Sequence, residues 1–165
     1  MAEIIMSALL AAAIFVYGSA RAARLREKHA QEDGLLSLLG YIKTSVTASG
    51  RPIYEILESF YDKSLDECGF LTALRQNDAS NPVGYAVERC GKDLFADKDF
   101  VSDLKAFSDS LGIARNKAQV KDVCEKYIKE LEDKVLKRRK KENSLEELYL
   151  KLSPLAAICI FLLLL

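Results

Sequence analysis

The chain has no tryptophan, one histidine, three prolines and four cysteines among its 165 residues. The single histidine, His29, has no Cys or second His beside it, so no metal role is expected. Cys68, Cys90, Cys124 and Cys159 stand far apart with no C-x-x-C pair. That spacing argues against a zinc site or a disulfide framework. It reads instead as isolated reduced thiols packed as small hydrophobes, which suits a cytosolic domain. Catalytic signatures are also missing. The chain lacks a phosphate loop and a G-x-G-x-x-G turn, and it lacks G-x-S-x-G and H-E-x-x-H. Gly34, Gly40 and Gly50 do not form a phosphate cradle. Acid pairs such as Asp66-Glu67 and Glu146-Glu147 read as solvated helix faces. The expectation is a protein that is not an enzyme, with no cofactor and no small-molecule substrate.

An excess of one charge sign is lacking too. Lys plus Arg number 24 and Asp plus Glu number 24. All the bases, and every acid but Glu3, lie between Arg21 and Lys151, leaving that stretch a net of +1. A nucleic-acid protein carries a strongly basic footprint, so none is expected here.

What is present in quantity is apolar sequence at both ends. Ile4–Tyr17 and Leu152–Leu165 carry no charge. A spanning helix needs about 20 apolar residues. Ile4–Ala20 offers about 17, or roughly 25 Å. Leu152–Leu165 offers about 14, or roughly 21 Å, and reaches a span by borrowing from the preceding helix or thinning the bilayer. A cleaved leader begins with basic residues, whereas here they follow the apolar run. Arg21, Arg24, Arg26 and Lys28 flank the first segment. Lys137, Arg138, Arg139, Lys140, Lys141 and Lys151 precede the second. Lys and Arg stay on the cytoplasmic side of a membrane, so the middle is expected in the cytoplasm with both termini across. Arg21, Arg24, Arg26, Lys28, Arg138, Arg139, Lys140, Lys141 and Lys151 are the candidate membrane-surface residues, each attracted to anionic lipid by about 1 kcal/mol. The division is 1–20 as N-terminal anchor, 21–151 as helical bundle and 152–165 as C-terminal anchor.

The middle is helical by periodicity nearly throughout. Leu35, Leu36, Leu38, Leu39, Tyr41, Ile42 and Val46 make a wide apolar face. Ser49-Gly50 ends that helix, and Arg51-Pro52 opens another bearing Ile53, Ile56, Leu57, Phe60 and Tyr61. A short amphipathic piece covers 70–75. Asn77–Asn81 is a turn, with Asn81 as cap before Pro82. Val83, Ala86, Val87 and Cys90 mark the next helix. Asp97–Asp99 leads one bearing Phe100, Leu104, Phe107 and Leu111, closed by Gly112. Nothing breaks a helix from Arg115 to Tyr149, a length of about 50 Å. Val120, Cys124, Tyr127, Leu131 and Val135 form a near-heptad stripe along it. No strand-like alternation persists. The fold class is all-α: a compact cytoplasmic helical bundle flanked by N- and C-terminal transmembrane helices.

The order of landmarks resembles the stage III sporulation protein AB family of endospore-forming bacteria over nearly the full chain. The basic segment Arg21–Lys28 follows the first apolar run. A leucine-rich helix then leads into Ser49-Gly50-Arg51-Pro52 and Glu55-Ile56-Leu57. Asp109-Ser110-Leu111-Gly112 precedes a long charged helix holding Gln119, and Lys151-Leu152 enters a leucine-ended tail. Ser153-Pro154 departs from a glycine-bearing leucine run and bends the start of the second span.

The resemblance implies similarity to the cytoplasmic helical domain of the type II secretion platform protein. It implies a platform in the channel between mother cell and forespore, in the outer forespore membrane with its bulk in the mother-cell cytoplasm. The implied partners are a cytoplasmic ATPase, sporulation protein AA, and the other channel proteins of the same operon. Turns between helices supply the candidate partner-binding residues Arg51, Asn77, Asn81, Asp97 and Asp99. A competing reading is a membrane adaptor that forms a homo-oligomer by coiled-coil pairing of the Val120–Val135 stripe. The simpler use of that stripe is packing within its own bundle.

Overall fold

Long stretches free of proline and glycine become long helices. In the computed structural model, which describes residues 2–49, 53–76, 81–92, 94 and 97–163, every regular element is α-helical. In order these are α1 (Ala2–Ser49), α2 (Ile53–Ser59), α3 (Lys63–Glu67), α4 (Phe70–Arg75), α5 (Pro82–Cys90), α6 (Lys98–Ile113) and α7 (Lys117–Leu163). The chain divides into two compact units. One is Lys28–Val135, and the other joins Met1–Glu27 to Leu136–Leu165.

The Lys28–Val135 unit is built on a single core. Leu35, Leu38, Leu39, Ile42 and Val46 enter it from α1, at the spacing that keeps one helix face buried. Phe70, Leu71 and Leu74 come from α4, Val83 and Val87 from α5, and Phe100, Leu104, Phe107 and Leu111 from α6. From α7, Val120, Cys124, Leu131 and Val135 are all nearly or wholly buried. Tyr127 lies between them, half-buried, with its ring edge-on to Phe107 at 5.7 Å. The heptad stripe is therefore core of its own unit, and its apolar side chains are not available as a dimer seam. Removal from water stabilises each such side chain by about 1.5–3 kcal/mol.

Short helices depend on their caps. Asp62 opens α3 by accepting from the Leu65 amide at 3.1 Å and the Ser64 hydroxyl at 2.6 Å. Gly69 then takes φ +78°, the left-handed conformation that turns α3 into α4. Asn81 caps α5, accepting from the Gly84 amide at 3.1 Å, with Pro82 in the first turn. Asn116 and Gln119 open α7: Asn116 Oδ1 accepts from the Gln119 amide at 2.9 Å, and Gln119 Oε1 from the Arg115 amide at 2.8 Å.

The first apolar segment and the first bundle helix are one helix, α1, because nothing between Ala20 and Leu35 breaks it. Two other points depart from sequence expectation. Helix α3 adds an element that periodicity did not reveal, since one core residue, Leu65, cannot show a period. Gly112 does not close α6. It lies in the last turn, and Ala114 is the cap.

Replacement of Gly69 by alanine is expected to cost about 1 kcal/mol through the left-handed backbone it must adopt. Gly40→Ala, in the interior of α1 with open space around the added methyl, is expected to gain up to about 1 kcal/mol. Thermal melting of the full chain in detergent, followed by circular dichroism, should move in opposite directions for the two. Leu131→Ala should cost about 2–5 kcal/mol with no change in sedimentation of the folded chain. A dissociating oligomer in its place would return the stripe to the role of a seam.

Candidate functional site

Around α1 the first half of the helix is apolar on almost every face. Ile5, Met6, Leu9, Leu10, Phe15 and Val16 are all at least half exposed. Among the described residues, this is the helix long and apolar enough to cross a membrane. A helix apolar all round belongs in a protein core or in lipid, and these side chains are not in a core.

One narrow stripe of α1 is different. Ser7, Gly18 and Ala22 are buried, with Ala11 and Ile14 partly buried, at heptad-like spacing. On α7 the matching positions are Ser153 and Ala157. A methyl added to Gly18 would collide with the Ser153 side chain and lie 3.4 Å from the Tyr149 carbonyl oxygen. Small residues bring the two backbones close, which is how helices associate where no water is present to drive them together. Beside this contact an apolar groove of about 410 Å³ is lined by Ala11, Phe15, Pro154, Ala157, Ile158 and Phe161, among others. Helix α7 runs through Pro154 to Leu163 without a break.

At the charged end of the pair, Arg26 donates to Glu146 at 2.6 Å. Arg21 donates to the Tyr17 hydroxyl at 3.1 Å and lies 5.4 Å from the centre of the same ring. Arg138 faces Glu142 at 3.5 Å and Lys151 faces Glu147 at 3.1 Å, each one turn apart. Arg139 is half-buried, while Arg24, Lys140 and Lys141 are exposed. Of the first basic cluster, Lys28 does not present its charge at a surface. It is buried, and its ammonium donates to Asp97 at 2.9 Å.

The turn residues are placed unequally. Arg51 and Asn77 lie outside the described residues. Asn81 is occupied as the α5 cap, and its Oδ1 also accepts from the buried Ser108 hydroxyl. Asp97 stands at the start of α6 without capping it, its carboxylate turned to Lys28. Asp99, two residues on, is exposed.

Three further ion pairs cross between helices of the Lys28–Val135 unit: Lys43 to Glu125 at 2.9 Å, Lys105 to Glu88 at 2.7 Å and Lys134 to Asp103. The bond from Lys43 holds Glu125 below the usual carboxylate range, and the bond to Asp103 raises Lys134. These groups are solvated and act as register marks. Burial pushes the Cys124 thiol up to about 11, so it stays protonated and inert. All four cysteines are free. Among the described residues, no group of three or more His, Cys, Asp or Glu is placed to hold a metal ion.

Sequence reasoning located the two apolar ends and missed that they pair. The small residues at 11 and 18, with 153 and 157 on the other helix, were the available signal. Neither a curated protein nor a solved structure matches the chain. A family model does, over residues 3–165, under the description stage III sporulation protein AB. That match covers both apolar ends and everything between them, and the chain belongs to the stage III sporulation protein AB family.

Proposed function

We propose that this chain is a non-enzymatic membrane platform of a sporulation channel between mother cell and forespore, coupling a cytoplasmic ATPase to the membrane complex. The observation that carries the reading is the paired helix ends: α1 and α7 meet through Gly18 and Ser153 while their other faces are apolar and exposed. A two-helix hairpin of this kind anchors a chain in a bilayer. The end of α7 is the second span, shortened and held against the first by the Gly18 contact. Bases at 21–26 and 137–141 set the orientation, with both termini across and the Lys28–Val135 unit in the mother-cell cytoplasm. The family assignment supplies the sporulation setting, and its resemblance to a secretion platform supplies the ATPase, sporulation protein AA, as partner.

The platform works by binding and position, with the phosphate chemistry done by the ATPase. The positions Arg51, Asn77, Asn81, Asp97 and Asp99 offer the contact. Asn81 and Asp97 also hold the fold, so Asp99, exposed in the first turn of α6, is the position at which a change disturbs the fold least. The coiled-coil adaptor is disfavoured because its stripe is spent on the core.

Full-length chain, extracted from sporulating cells, is expected to co-purify with the ATPase, and Asp99→Lys to weaken that retention several-fold by reversing a rim charge. Retention of neither protein on the other, together with intact forespore gene expression after deletion, would end the platform reading. Gly18→Leu should wedge the hairpin apart. Cysteines placed at 11 and 157 are expected to cross-link in the parent chain and to lose that cross-link in the variant. Equal cross-linking in both would remove the close helix approach as the anchor's basis.

A further inference from the structure

We propose that the outward face of α7 around Lys137, Lys140, Lys141 and Ser144 is a binding site for the phosphate headgroup of an anionic phospholipid. The inference rests on the membrane reading above and names the ligand of that surface. The positions are three, four and seven apart, so they share one face of the helix and cover about 10 Å of its length. All four are exposed and, with Leu145, line one shallow hollow of about 510 Å³.

Two observations single this face out from the other bases near the helix pair. First, most neighbouring cations are engaged within the chain. Arg26 is on Glu146, Arg138 on Glu142, Lys151 on Glu147 and Arg21 on the Tyr17 ring. Among the described residues, no ion pair holds Lys137, Lys140 or Lys141. Of the acids C-terminal to them, Glu142, Glu146 and Glu147 are engaged by other cations. Second, the same face turns apolar along the axis. Beyond Leu145 come Leu148, Leu152 and Leu155, each more than two-fifths exposed. A run of ammonium groups followed on one face by exposed leucines matches a molecule with an anionic head and a hydrocarbon tail. A polynucleotide or an acidic protein segment would use the lysines and leave the leucines bare.

Each ammonium near an anionic lipid surface gains about 1 kcal/mol of attraction, roughly fivefold in affinity. Three acting together give a preference of at least about tenfold for an anionic over a zwitterionic lipid.

The test uses the full chain in dodecyl maltoside, mixed with phosphatidylglycerol or phosphatidylcholine of identical acyl chains, with retained lipid counted by native mass spectrometry. Phosphatidylglycerol should be favoured about tenfold or more. The substitutions K137Q, K140Q and K141Q together should bring the ratio to about one, with the helical circular dichroism unchanged. Arginine at the same three positions should keep the preference. Removing three lysines elsewhere, K92Q with K117Q and K129Q, should also keep it. A preference that survives the glutamine variant, or falls equally with the distant lysines, overturns the site. So does displacement of the lipid by micromolar inorganic phosphate, by a short oligonucleotide or by polyglutamate. Fractionation of cells separates the two readings. A parent chain that leaves the membrane fraction ends the anchor and this site with it. A parent chain that stays there without lipid preference ends the site alone.

Discussion

Two helices in this protein must pack by two different sets of rules, and both change rule partway along. In the Lys28–Val135 unit, α1 presents Leu35, Leu38, Leu39, Ile42 and Val46, and α7 presents Val120, Cys124, Leu131 and Val135. Large apolar side chains are what water drives into a core. In the other unit the same two helices meet where Gly18 faces Ser153, with Ser7, Ala22 and Ala157 also buried, while many large residues turn outward. Contact there comes from backbone proximity and shape, as it does between helices in hydrocarbon, where hiding a leucine brings no reward. In the proposed anchor, the switch from large to small on the inner stripe marks where the solvent of each helix changes. The rest of the structure follows from it: one unit with a dense core, one helix pair with its bulk facing out.

The ionic groups fall into line with that division. Pairs such as Lys43–Glu125 and Lys105–Glu88 join different helices at the rim of the core, where each adds on the order of 0.2–1 kcal/mol and fixes register more than stability. Lys28–Asp97 is different in kind, because the lysine side chain is only 9% exposed. Losing Asp97 would take one anionic partner from a nearly buried ammonium, a larger cost than any rim pair carries. Bases that look alike in a charge count therefore do different work. Some lock the fold, some bridge the helix pair, and among the described residues Lys137, Lys140 and Lys141 are held by no ion pair.

Much of the bundle was legible because it rests on local rules. The bounds of α4, the Asn81 cap on α5 and the buried stripe of α7 follow from periodicity and cap chemistry within a few residues. What could not be read depends on distance. Arg26 meets Glu146 across 120 residues of sequence, so its charge looked as free as that of Lys141. Asp97 looked like a cap or a docking acid, and its actual partner lies on α1. Helix α3 escaped because its start is set by one aspartate and its packing by one leucine. The pairing of the two ends was hidden by the very apolarity that made them conspicuous. Against a background of leucine and alanine, a glycine at 18 and a serine at 153 are weak marks until they are seen facing each other.

Pro154 shows why the helix pair accepts a residue that the sequence suggested would bend it. A proline inside a helix removes the amide that would bond the carbonyl four residues back, here that of Leu150. Deep in hydrocarbon such a carbonyl costs several kcal/mol. Leu150 stands beside Lys151, whose ammonium is bonded to Glu147 and whose side chain is 73% exposed, so the freed carbonyl sits at the wet end of the segment. Placed a turn or two later, among Ile158 and Phe161, the same proline would, in the proposed anchor, open a carbonyl where no water reaches. Its position next to Ser153 also puts its ring in the apolar groove beside Ala11 and Phe15, so the residue that weakens the helix ladder adds to the contact between the two helices. The shortness of the second apolar segment and its proline are thus compatible with one anchor, provided the first helix is there to pack against.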